Sequence, residues 1–404
     1  MACFLVTGGA GFIGSHLVHA LRNEGHTVRV LDDLSSGHRE NVPQEVELIE
    51  ADVTEPAAVE SALDGVHGCF HLAAIASVAR SHREWLRTHQ VNLTGTINVL
   101  DQVRPSRRNR EVPVVYASSA AIYGNCGSLP ADEESPAAPL SAYGADKHAC
   151  ELHARVAGAI HGVPTVGLRF FNLYGPRQDP LSPYSGVISI FADRLLRGDA
   201  LEIFGDGEQA RDFTFISDAV YALCCAMPAA STGAVVFNVC TGKATSVRGL
   251  AEIMADLCGT ELVVHRRPAR CGELRISIGD PQLAAERLGF TARTMLSEGL
   301  AITLNMPGRK LKGRGAGRGV RGAECPEIGI PASGRFPFIP LRAWAASGSN
   351  LNPYLATRCG GEASLWQKPV SSYPALPSPI RRYPCSTKRI SGPKSSRAVP
   401  SGNS

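Results

Sequence analysis

Tyr143 and Lys147 are the residues whose types and spacing most directly suggest chemistry. Side chains at positions i and i+4 lie one turn apart on the same face of a helix. An ammonium group beside a phenol favours the phenolate, and a strand-ending pair, Ser118 and Ser119, precedes them in the chain. The pattern predicts a proton-transfer site in which tyrosine acts as acid or base. By itself the Tyr-x-x-x-Lys spacing is also common on helix surfaces.

A glycine-rich segment at residues 7–14 predicts a second kind of site. It follows a short apolar run and opens a helical pattern, with Gly8, Gly11 and Gly14 at every third position. Glycines let the backbone approach a pyrophosphate, and the helix N-terminus supplies free N–H groups and a positive dipole end. The segment therefore predicts a dinucleotide site.

Asp32 ends the second predicted strand, about twenty residues after the glycines. A carboxylate at this place can bind both ribose hydroxyls and repels a 2′-phosphate, so NAD is favoured over NADP as cofactor. Further along the chain, we predict that Asp52 and Val53 end the third strand and meet the adenine. We interpret His71 as a core residue and Asn92 as structural. The remaining residues that we assign to the cofactor site are Asp33, Ser36, Gly37, Leu72, Ala73 and Ala74.

The elements that must position these residues alternate along the first 170 residues. Short β-rich runs at residues 4–6, 27–31, 46–50, 69–72, 112–116 and 165–168 are separated by segments of helix length. This alternation is typical of an α/β fold, a doubly wound parallel sheet of the Rossmann type. We predict a nucleotide-binding domain over residues 1–175 and a smaller substrate lobe, not strictly contiguous, over residues 176–305.

Composition changes sharply near residue 305. Residues 1–302 carry 25 Lys and Arg against 34 Asp and Glu, whereas residues 303–404 carry 16 against 3. The later part is rich in Pro, Gly and Ser, a composition that cannot easily bury an apolar core. A natural basic disordered tail, an out-of-frame replacement of the true last helix and a small extra domain are three interpretations, of which we favour the second. We expect residues 306–404 to be dispensable for chemistry.

Several function classes are disfavoured by composition. A mildly acidic body is not typical of a nucleic-acid binder, and no run of about 18 apolar residues predicts a membrane span. The chain begins directly with a strand pattern, so we expect a cytoplasmic protein. Its twelve cysteines are scattered without metal-ligand spacing, and we predict reduced thiols and no metal site.

Taken in order, these motifs resemble those of the extended short-chain dehydrogenase/reductase superfamily over roughly residues 3–302. Residues 169–177 and 204–213 are similar to the substrate segments of nucleotide-sugar enzymes, and most similar to those of UDP-glucose and UDP-N-acetylglucosamine 4-epimerases. The resemblance implies Ser119, Tyr143 and Lys147 as catalytic residues, and it adds Phe12, Ile13, Tyr143, Lys147 and Phe171 to the NAD site. It implies a UDP-sugar site formed by Ser119, Asn172, Val187, Phe204, Arg211, Arg270, Glu273 and Ser277.

The resemblance also implies a reaction and an assembly. Tyr143 would remove the proton of the sugar's 4-hydroxyl as C4 is oxidised. The 4-keto sugar would then rotate about the diphosphate linkage, and reduction on its other face would give the epimer. Such enzymes often pair as homodimers through a helix bundle. Glu273 stands where an aspartate is expected, and Ser277, a small residue, falls beside the sugar's C2 substituent.

Two other functions remain open from the sequence. Nucleotide-sugar 4,6-dehydratases and decarboxylases carry an acidic residue in the loop where this chain has Ala120 and Ala121. A non-catalytic dinucleotide-binding protein would be expected to lose Tyr143 and Lys147. Both alternatives are therefore disfavoured, and C4-epimerisation of a UDP-sugar is the favoured interpretation.

Overall fold

In the computed structural model of this protein, the described residues are 1–179, 186–270 and 273–304. All of them fall within one compact unit, so the division at residue 175 stays a prediction. The predicted tail, residues 306–404, lies outside the described residues. Within the described ranges, no helix is long and apolar enough to cross a membrane.

The described elements alternate between strands and helices over the first half of the chain. The strands are β1 (Cys3–Thr7), β2 (Thr27–Asp32), β3 (Glu47–Glu50), β4 (Gly68–His71), β5 (Val114–Ser119), β6 (Thr165–Phe170), β7 (Asn172–Tyr174), β8 (Leu201–Phe204), β9 (Ala210–Phe215), β10 (Val235–Val239), β11 (Ala244–Ser246), β12 (Val264–Arg267) and β13 (Ile276–Ser277). The helices are α1 (Phe12–Asn23), α2 (Pro56–Ala62), α3 (Val78–Arg83), α4 (Trp85–His89), α5 (Gly95–Gln102), α6 (Pro105–Arg108), α7 (Ala142–His161), α8 (Val187–Arg197), α9 (Ile216–Ala226), α10 (Val247–Cys258), α11 (Gln282–Leu288) and α12 (Leu296–Leu304).

Seven strands form one sheet in the order β10-β6-β5-β4-β1-β2-β3, and every pairing in it is parallel. Both faces are buried, because Phe4 and Val6 of β1 belong to one apolar cluster while Leu5 belongs to another. Strands covered on both faces are typical of parallel sheets wrapped by helices. The predicted doubly wound α/β fold is thus confirmed.

Two of the predicted strand boundaries were wrong. The fifth strand was expected at residues 112–116, but β5 runs over Val114–Ser119, because its pairing with β6 continues as far as Ser119 opposite Phe170. Asp52 does not end the third strand, since β3 stops at Glu50. In the first case, pairing with β6 extends the strand beyond the apolar run. In the second case, pairing with β2 ends at Glu50, before Asp52.

Parallel strands end at one edge of the sheet, and this edge collects the predicted functional residues. The glycine segment follows β1, Asp32 ends β2, Leu72 follows β4 and Ser119 ends β5. A smaller sheet built on β9 lies later in the chain, with β11 and β13 on either side of β9 in the strand order and β7 also paired to it.

Candidate active site

The glycine segment forms a tight turn between β1 and α1. Gly8 has a φ of +71°, and a Cβ there would lie 2.7 Å from the backbone nitrogen of Ala73. At Gly14 a Cβ would lie 2.1 Å from the carbonyl oxygen of Gly8. Gly11 caps α1 without a side-chain hydrogen bond, so the first-turn N–H groups are directed to whatever lies before the helix. This cradle suits a pyrophosphate.

A cavity of about 750 Å³ opens in front of this turn. Its lining brings together most of the residues predicted for the cofactor: Gly8, Gly11, Phe12, Ile13, Gly14, Asp32, Asp33, Ser36, Asp52, Val53, Leu72, Ala73 and Ala74. No motif in the sequence pointed to other lining residues, among them Asn41, Ser77, Arg80, Arg87 and Gln178, whereas Arg177 belongs to the segment 169–177 singled out by resemblance.

Asp32 is almost fully buried, with 7% of its surface exposed. One carboxylate oxygen accepts the N–H of Ala10 at 2.9 Å and the other accepts that of Leu34 at 2.9 Å. Burial raises the pKa of Asp32, and these two hydrogen bonds offset part of that rise. The carboxylate therefore ties the glycine turn to the end of β2 while it also lines the cavity.

Arg87 is a cavity residue that sequence reasoning missed. Its guanidinium lies 2.5 Å from a carboxylate oxygen of Asp52 and 3.9 Å from one of Asp33. Although partial burial raises the pKa of Asp52, hydrogen bonds from Thr54 and Arg87 lower it overall. No spacing in the sequence relates Arg87 to these two aspartates, since the contact depends on how α4 packs beside the sheet edge.

His71 and Asn92 are core residues, as predicted. The His71 ring bridges Thr7 Oγ1 at 2.8 Å and Thr96 Oγ1 at 3.0 Å, and burial lowers the pKa of His71 to about 3, so the ring is neutral. Asn92 lies in a π-helical turn, Gln90–Thr94, and its side chain pairs with both backbone groups of Ile75. Together they fix the backbone that borders the cavity after β4.

Segment 175–179 packs against α1 and contributes Arg177, Gln178 and Asp179 to the lining of the cavity. His16 Nε2 lies 2.9 Å from the carbonyl oxygen of Pro176, and burial lowers the pKa of His16 to about 4. Arg177 has a φ of +67° and lies 3.3 Å from His19. The left-handed backbone at Arg177 is unusual for a non-glycine residue, and it occurs where this segment packs against His16 and His19 of α1.

The proposed catalytic residues come from β5 and the first turns of α7. Helix α7 begins after Ser141, whose hydroxyl accepts the N–H of Gly144 at 3.0 Å. A Cβ at Gly144 would lie 2.6 Å from the carbonyl oxygen of Ala121. This glycine lets the turn that carries Tyr143 pack directly against the chain that follows Ser119.

Lys147 is buried, with 3% of its surface exposed. Its ammonium donates to the carbonyl oxygen of Ala117 at 2.8 Å and lies 5.9 Å from the centre of the Tyr143 ring. Ser119 Oγ accepts the N–H of Ala121 at 3.1 Å. A phenol beside an ammonium, with a serine hydroxyl at the adjoining strand end, can exchange a proton with a hydroxyl or carbonyl group.

The residues predicted for the UDP-sugar are distributed over the β9 sheet, a separate two-stranded sheet of β8 and β12, the end of β5 and the start of α8. Arg211 on β9 pairs in register with Ser277 on β13, and its guanidinium lies 3.5 Å from Glu273. Burial lowers the pKa of Arg211, and Glu273 offsets part of that effect. The Arg270 guanidinium stacks 3.9 Å above the Phe204 ring. Asn172 begins β7, opposite Phe213 of β9, and Val187 begins α8.

Four predicted cofactor residues do not line the cavity: Gly37, Tyr143, Lys147 and Phe171. Gly37 packs on the glycine turn, where a Cβ would lie 2.8 Å from the Ala10 backbone. Phe171 is buried, with its ring centre 6.2 Å from that of Tyr123 and its edge against Gly279. The cofactor roles of all four remain predictions.

Comparison with known proteins agrees with this geometry. The model of the NAD dependent epimerase/dehydratase family matches residues 4–240. This chain belongs to the NAD-dependent epimerase/dehydratase family. NAD is its cofactor, and the glycine cradle, which has no room for a Cβ, together with the buried Asp32 fits that group.

Individual relatives are matched over most of their own length. A UDP-glucose 4-epimerase of Mycolicibacterium smegmatis is 38% identical over 312 residues, which cover 74% of this chain and 96% of the relative. The crystal structure of UDP-glucose 4-epimerase with UDP-glucose from Thermotoga maritima is 37% identical and has a TM-score of 0.71. The match covers 75% of this chain and 97% of that structure's chain. A UDP-N-acetyl-alpha-D-glucosaminuronate decarboxylase of Bacillus cytotoxicus is 31% identical over 274 residues, covering 65% of this chain and 82% of the relative.

We expect the purified protein to prefer NAD to NADP by roughly a hundredfold or more in affinity, about 2.7 kcal/mol. A 2′-phosphate would meet the carboxylates of Asp32 and Asp33. Asp32→Asn should narrow the ratio because it removes a charge and keeps an oxygen acceptor. Titration of each cofactor into stripped protein measures the ratio, with exposed Asp64→Asn as the matched control. Equal affinity of the wild type for both cofactors would contradict the role of Asp32.

Proposed function

We propose that this protein interconverts the C4 epimers of a UDP-sugar with NAD as cofactor: UDP-glucose with UDP-galactose, and the corresponding N-acetylated pair. The observation that carries the proposal is the docking of the Tyr143 turn against the end of β5. The turn that carries Tyr143 packs against the backbone of Ala121, and Lys147 donates to the carbonyl oxygen of Ala117, two residues before Ser119, which supports assigning all three to one site. Relatives that are named as epimerases support the reaction class.

The chain's own residues account for the proton steps. Tyr143, whose ring lies beside the Lys147 ammonium, acts as the general base that takes the proton from the sugar's 4-hydroxyl, and Ser119 orients that oxygen by a hydrogen bond. Bound NAD supplies the acceptor, and later the donor, for the hydride at C4. Once the 4-keto sugar has turned its other face to the site, Tyr143 returns the proton to the new hydroxyl.

We assign the UDP part to Arg211 on the β9 sheet and to Phe204 and Arg270 at the two-stranded sheet of β8 and β12. Guanidinium groups bind phosphate in a bidentate manner, which suits Arg211 and Arg270 to the diphosphate. Phe204 offers an aromatic face, on which Arg270 now stacks, and a pyrimidine ring could take that place. Glu273, beside Arg211, keeps a carboxylate for a ribose hydroxyl, and Asn172 and Val187 border the same site.

Dehydration or decarboxylation of the sugar is the competing chemistry, as the decarboxylase relative makes plain. Elimination or decarboxylation needs a further acid or base near the sugar. In this chain the short helical turn after Ser119 is Ala120–Ile122, which offers only apolar side chains. This turn favours epimerisation.

Incubation of the protein with a panel of UDP-sugars tests the proposal. Chromatography should find UDP-galactose formed from UDP-glucose, with no net consumption of cofactor. Release of carbon dioxide from a UDP-uronic acid, or accumulation of a 4-keto-6-deoxy sugar, would instead identify one of the alternatives. NAD binding without conversion of any sugar would identify a non-catalytic protein.

Substrate range should depend on Ser277, which is half-buried on β13 beside Arg211. The turning sugar must move its C2 substituent past this position, and close-packed sites do not absorb extra atoms cheaply. We expect UDP-N-acetylglucosamine to react at a rate comparable with UDP-glucose. Ser277→Tyr should slow the N-acetylated reaction by roughly tenfold or more, because overpacking costs about 1–3 kcal/mol. The rate with UDP-glucose should stay unchanged.

Ser277→Ala is the control for this comparison, because it keeps the space and removes only the hydroxyl. Both substrates should still react with it. A wild type confined to plain hexoses, or a tyrosine variant that loses both activities equally, would contradict the assignment of Ser277.

We further propose that two copies pair through α7. Its exposed side chains include Leu152, Val156 and Ile160, which are 45%, 52% and 71% exposed and follow one another at four-residue spacing. Side chains four apart share a helix face, and an exposed apolar stripe of this kind is typical of a contact with another chain. Light scattering should find twice the monomer mass in solution.

A further inference from the structure

A buried ion pair lies one helical turn below the proposed catalytic residues and has no part in the proton steps. Glu151 of α7 is fully buried, and Arg169 of β6 is 3% exposed. The Arg169 guanidinium donates to both carboxylate oxygens of Glu151, at 2.9 Å and 2.8 Å. Burial lowers the pKa of Arg169, but the hydrogen bonds and charge of Glu151 outweigh it and raise that pKa overall.

Glu151 also holds the strand that carries Ser119. The hydroxyl of Ser118 donates to the Glu151 carboxylate at 2.5 Å. Lys147, one turn earlier on α7, donates to the carbonyl oxygen of Ala117 at 2.8 Å. Two side chains of α7, spaced by four residues, thus hold two consecutive residues of β5, and Ser119 is the next residue of that strand.

The same cluster extends beneath the loop that follows β5. Arg169 donates to the Tyr123 hydroxyl at 2.8 Å, and this hydroxyl donates to the Asn238 side-chain oxygen at 2.7 Å. Arg169 also donates to the carbonyl oxygen of Glu133 at 3.0 Å. The ion pair therefore connects α7, β5, β6 and β10, and two of these elements, β5 and α7, carry the proposed catalytic residues.

Stability alone does not account for such an arrangement. Desolvation of a buried ion pair offsets much of its attraction, and apolar residues of similar volume often stabilise a fold as well or better. What the pair does provide is direction, because a bidentate guanidinium–carboxylate contact fixes both side chains in one plane. A serine bonded to that carboxylate is fixed in turn.

We propose that Ser118, Glu151 and Arg169 are positioning residues that hold α7 in register on β5, and so set the placement of Tyr143 relative to Ser119. The proposal rests on the proposed function for the roles of Tyr143 and Ser119. None of the three positioning residues is among those that we assign to the sugar or the cofactor. Proton transfer depends on donor–acceptor distances within a few tenths of an ångström, so a small slip of α7 should reduce turnover without reducing substrate binding.

Ser118→Ala is the decisive variant, since it removes one hydroxyl and leaves the ion pair in place. We expect kcat for UDP-sugar epimerisation to fall about tenfold, equivalent to about 1.4 kcal/mol, while KM and bound NAD per protomer stay unchanged. The matched control is Ser189→Ala, which removes another buried hydroxyl, on α8. It should lower Tm by a similar amount and leave kcat unchanged.

Glu151→Gln extends the test by removing the charge while keeping the shape. A folded Glu151→Gln variant should lose more turnover than Ser118→Ala, again with KM unchanged. If it does not fold, Ser118→Ala alone decides. Wild-type kcat in Ser118→Ala, or an equal loss of kcat in Ser189→Ala, would overturn the proposal.

Amide hydrogen exchange separates this proposal from the proposed function. Ser118→Ala should accelerate exchange in residues 117–119 and in the first two turns of α7, and leave α10 unchanged. That result would stand even if the wild type epimerised no UDP-sugar, in which case the proposed function fails and the positioning contact remains. Unchanged exchange in both segments would remove the positioning role.

Discussion

Replacing Tyr143 with phenylalanine should leave NAD bound and lower turnover by at least about a hundredfold, the usual worth of a general acid–base group. The change removes one oxygen from a half-buried side chain whose ring lies beside the Lys147 ammonium. Packing of α7 against Ala121 depends on Gly144 rather than on the phenol, so the fold should be preserved. The loss should therefore appear in kcat.

Bound NAD per protomer and kcat, measured on the same preparation, check this result. Tyr221→Phe is a suitable control, because Tyr221 lies on α9 and packs on Phe290. It should epimerise UDP-glucose at the wild-type rate. Turnover of Tyr143→Phe close to that of the wild type would remove Tyr143 from the mechanism.

Gly14→Ala should abolish retention of NAD. A Cβ at this position would lie 2.1 Å from the Gly8 carbonyl oxygen and 2.7 Å from the Gly9 Cα. Both are backbone atoms that cannot rotate away, so the glycine turn and the start of α1 must separate. Since that turn forms the pyrophosphate cradle, we expect affinity for NAD to fall at least about a hundredfold, or about 2.7 kcal/mol.

Titration of NAD into the stripped variant measures this loss, and thermal unfolding shows how far the fold is disturbed. The control is Gly233→Ala, where the nearest atom to an added Cβ, Ser231 Oγ, lies at 3.6 Å, an ordinary contact distance. It should bind NAD as the wild type does. Unchanged NAD affinity in Gly14→Ala would mean that the cofactor does not approach this turn.

Local patterns were enough to predict the nucleotide half of the site. The glycine spacing, the acid at the end of β2 and the alternation of strands with helices each depend on residues close together in the chain. Once the strands are parallel, their carboxyl ends must meet at one edge. For that reason the amino-acid sequence is sufficient to place Gly8, Asp32 and Leu72 in one site.

Contacts between elements distant in the chain could not be predicted in this way. Arg87 approaches Asp52 and Asp33 only because of the way α4 packs beside the sheet, and His16 holds segment 175–179 across 160 positions of sequence. No periodicity records such pairings, since many surface arginines and histidines have the same local surroundings.

The serine pair at the end of β5 shows most clearly which features the sequence predicts and which only the tertiary structure decides. The order of residues indicates a serine pair between this strand and the helix that carries Tyr143 and Lys147, but it does not distinguish Ser118 from Ser119 except by resemblance. Successive side chains of a strand point to opposite faces, and the packing of α7 on the sheet determines which face is core. Ser118 is bonded to the buried Glu151, while Ser119 begins the turn against which Tyr143 packs.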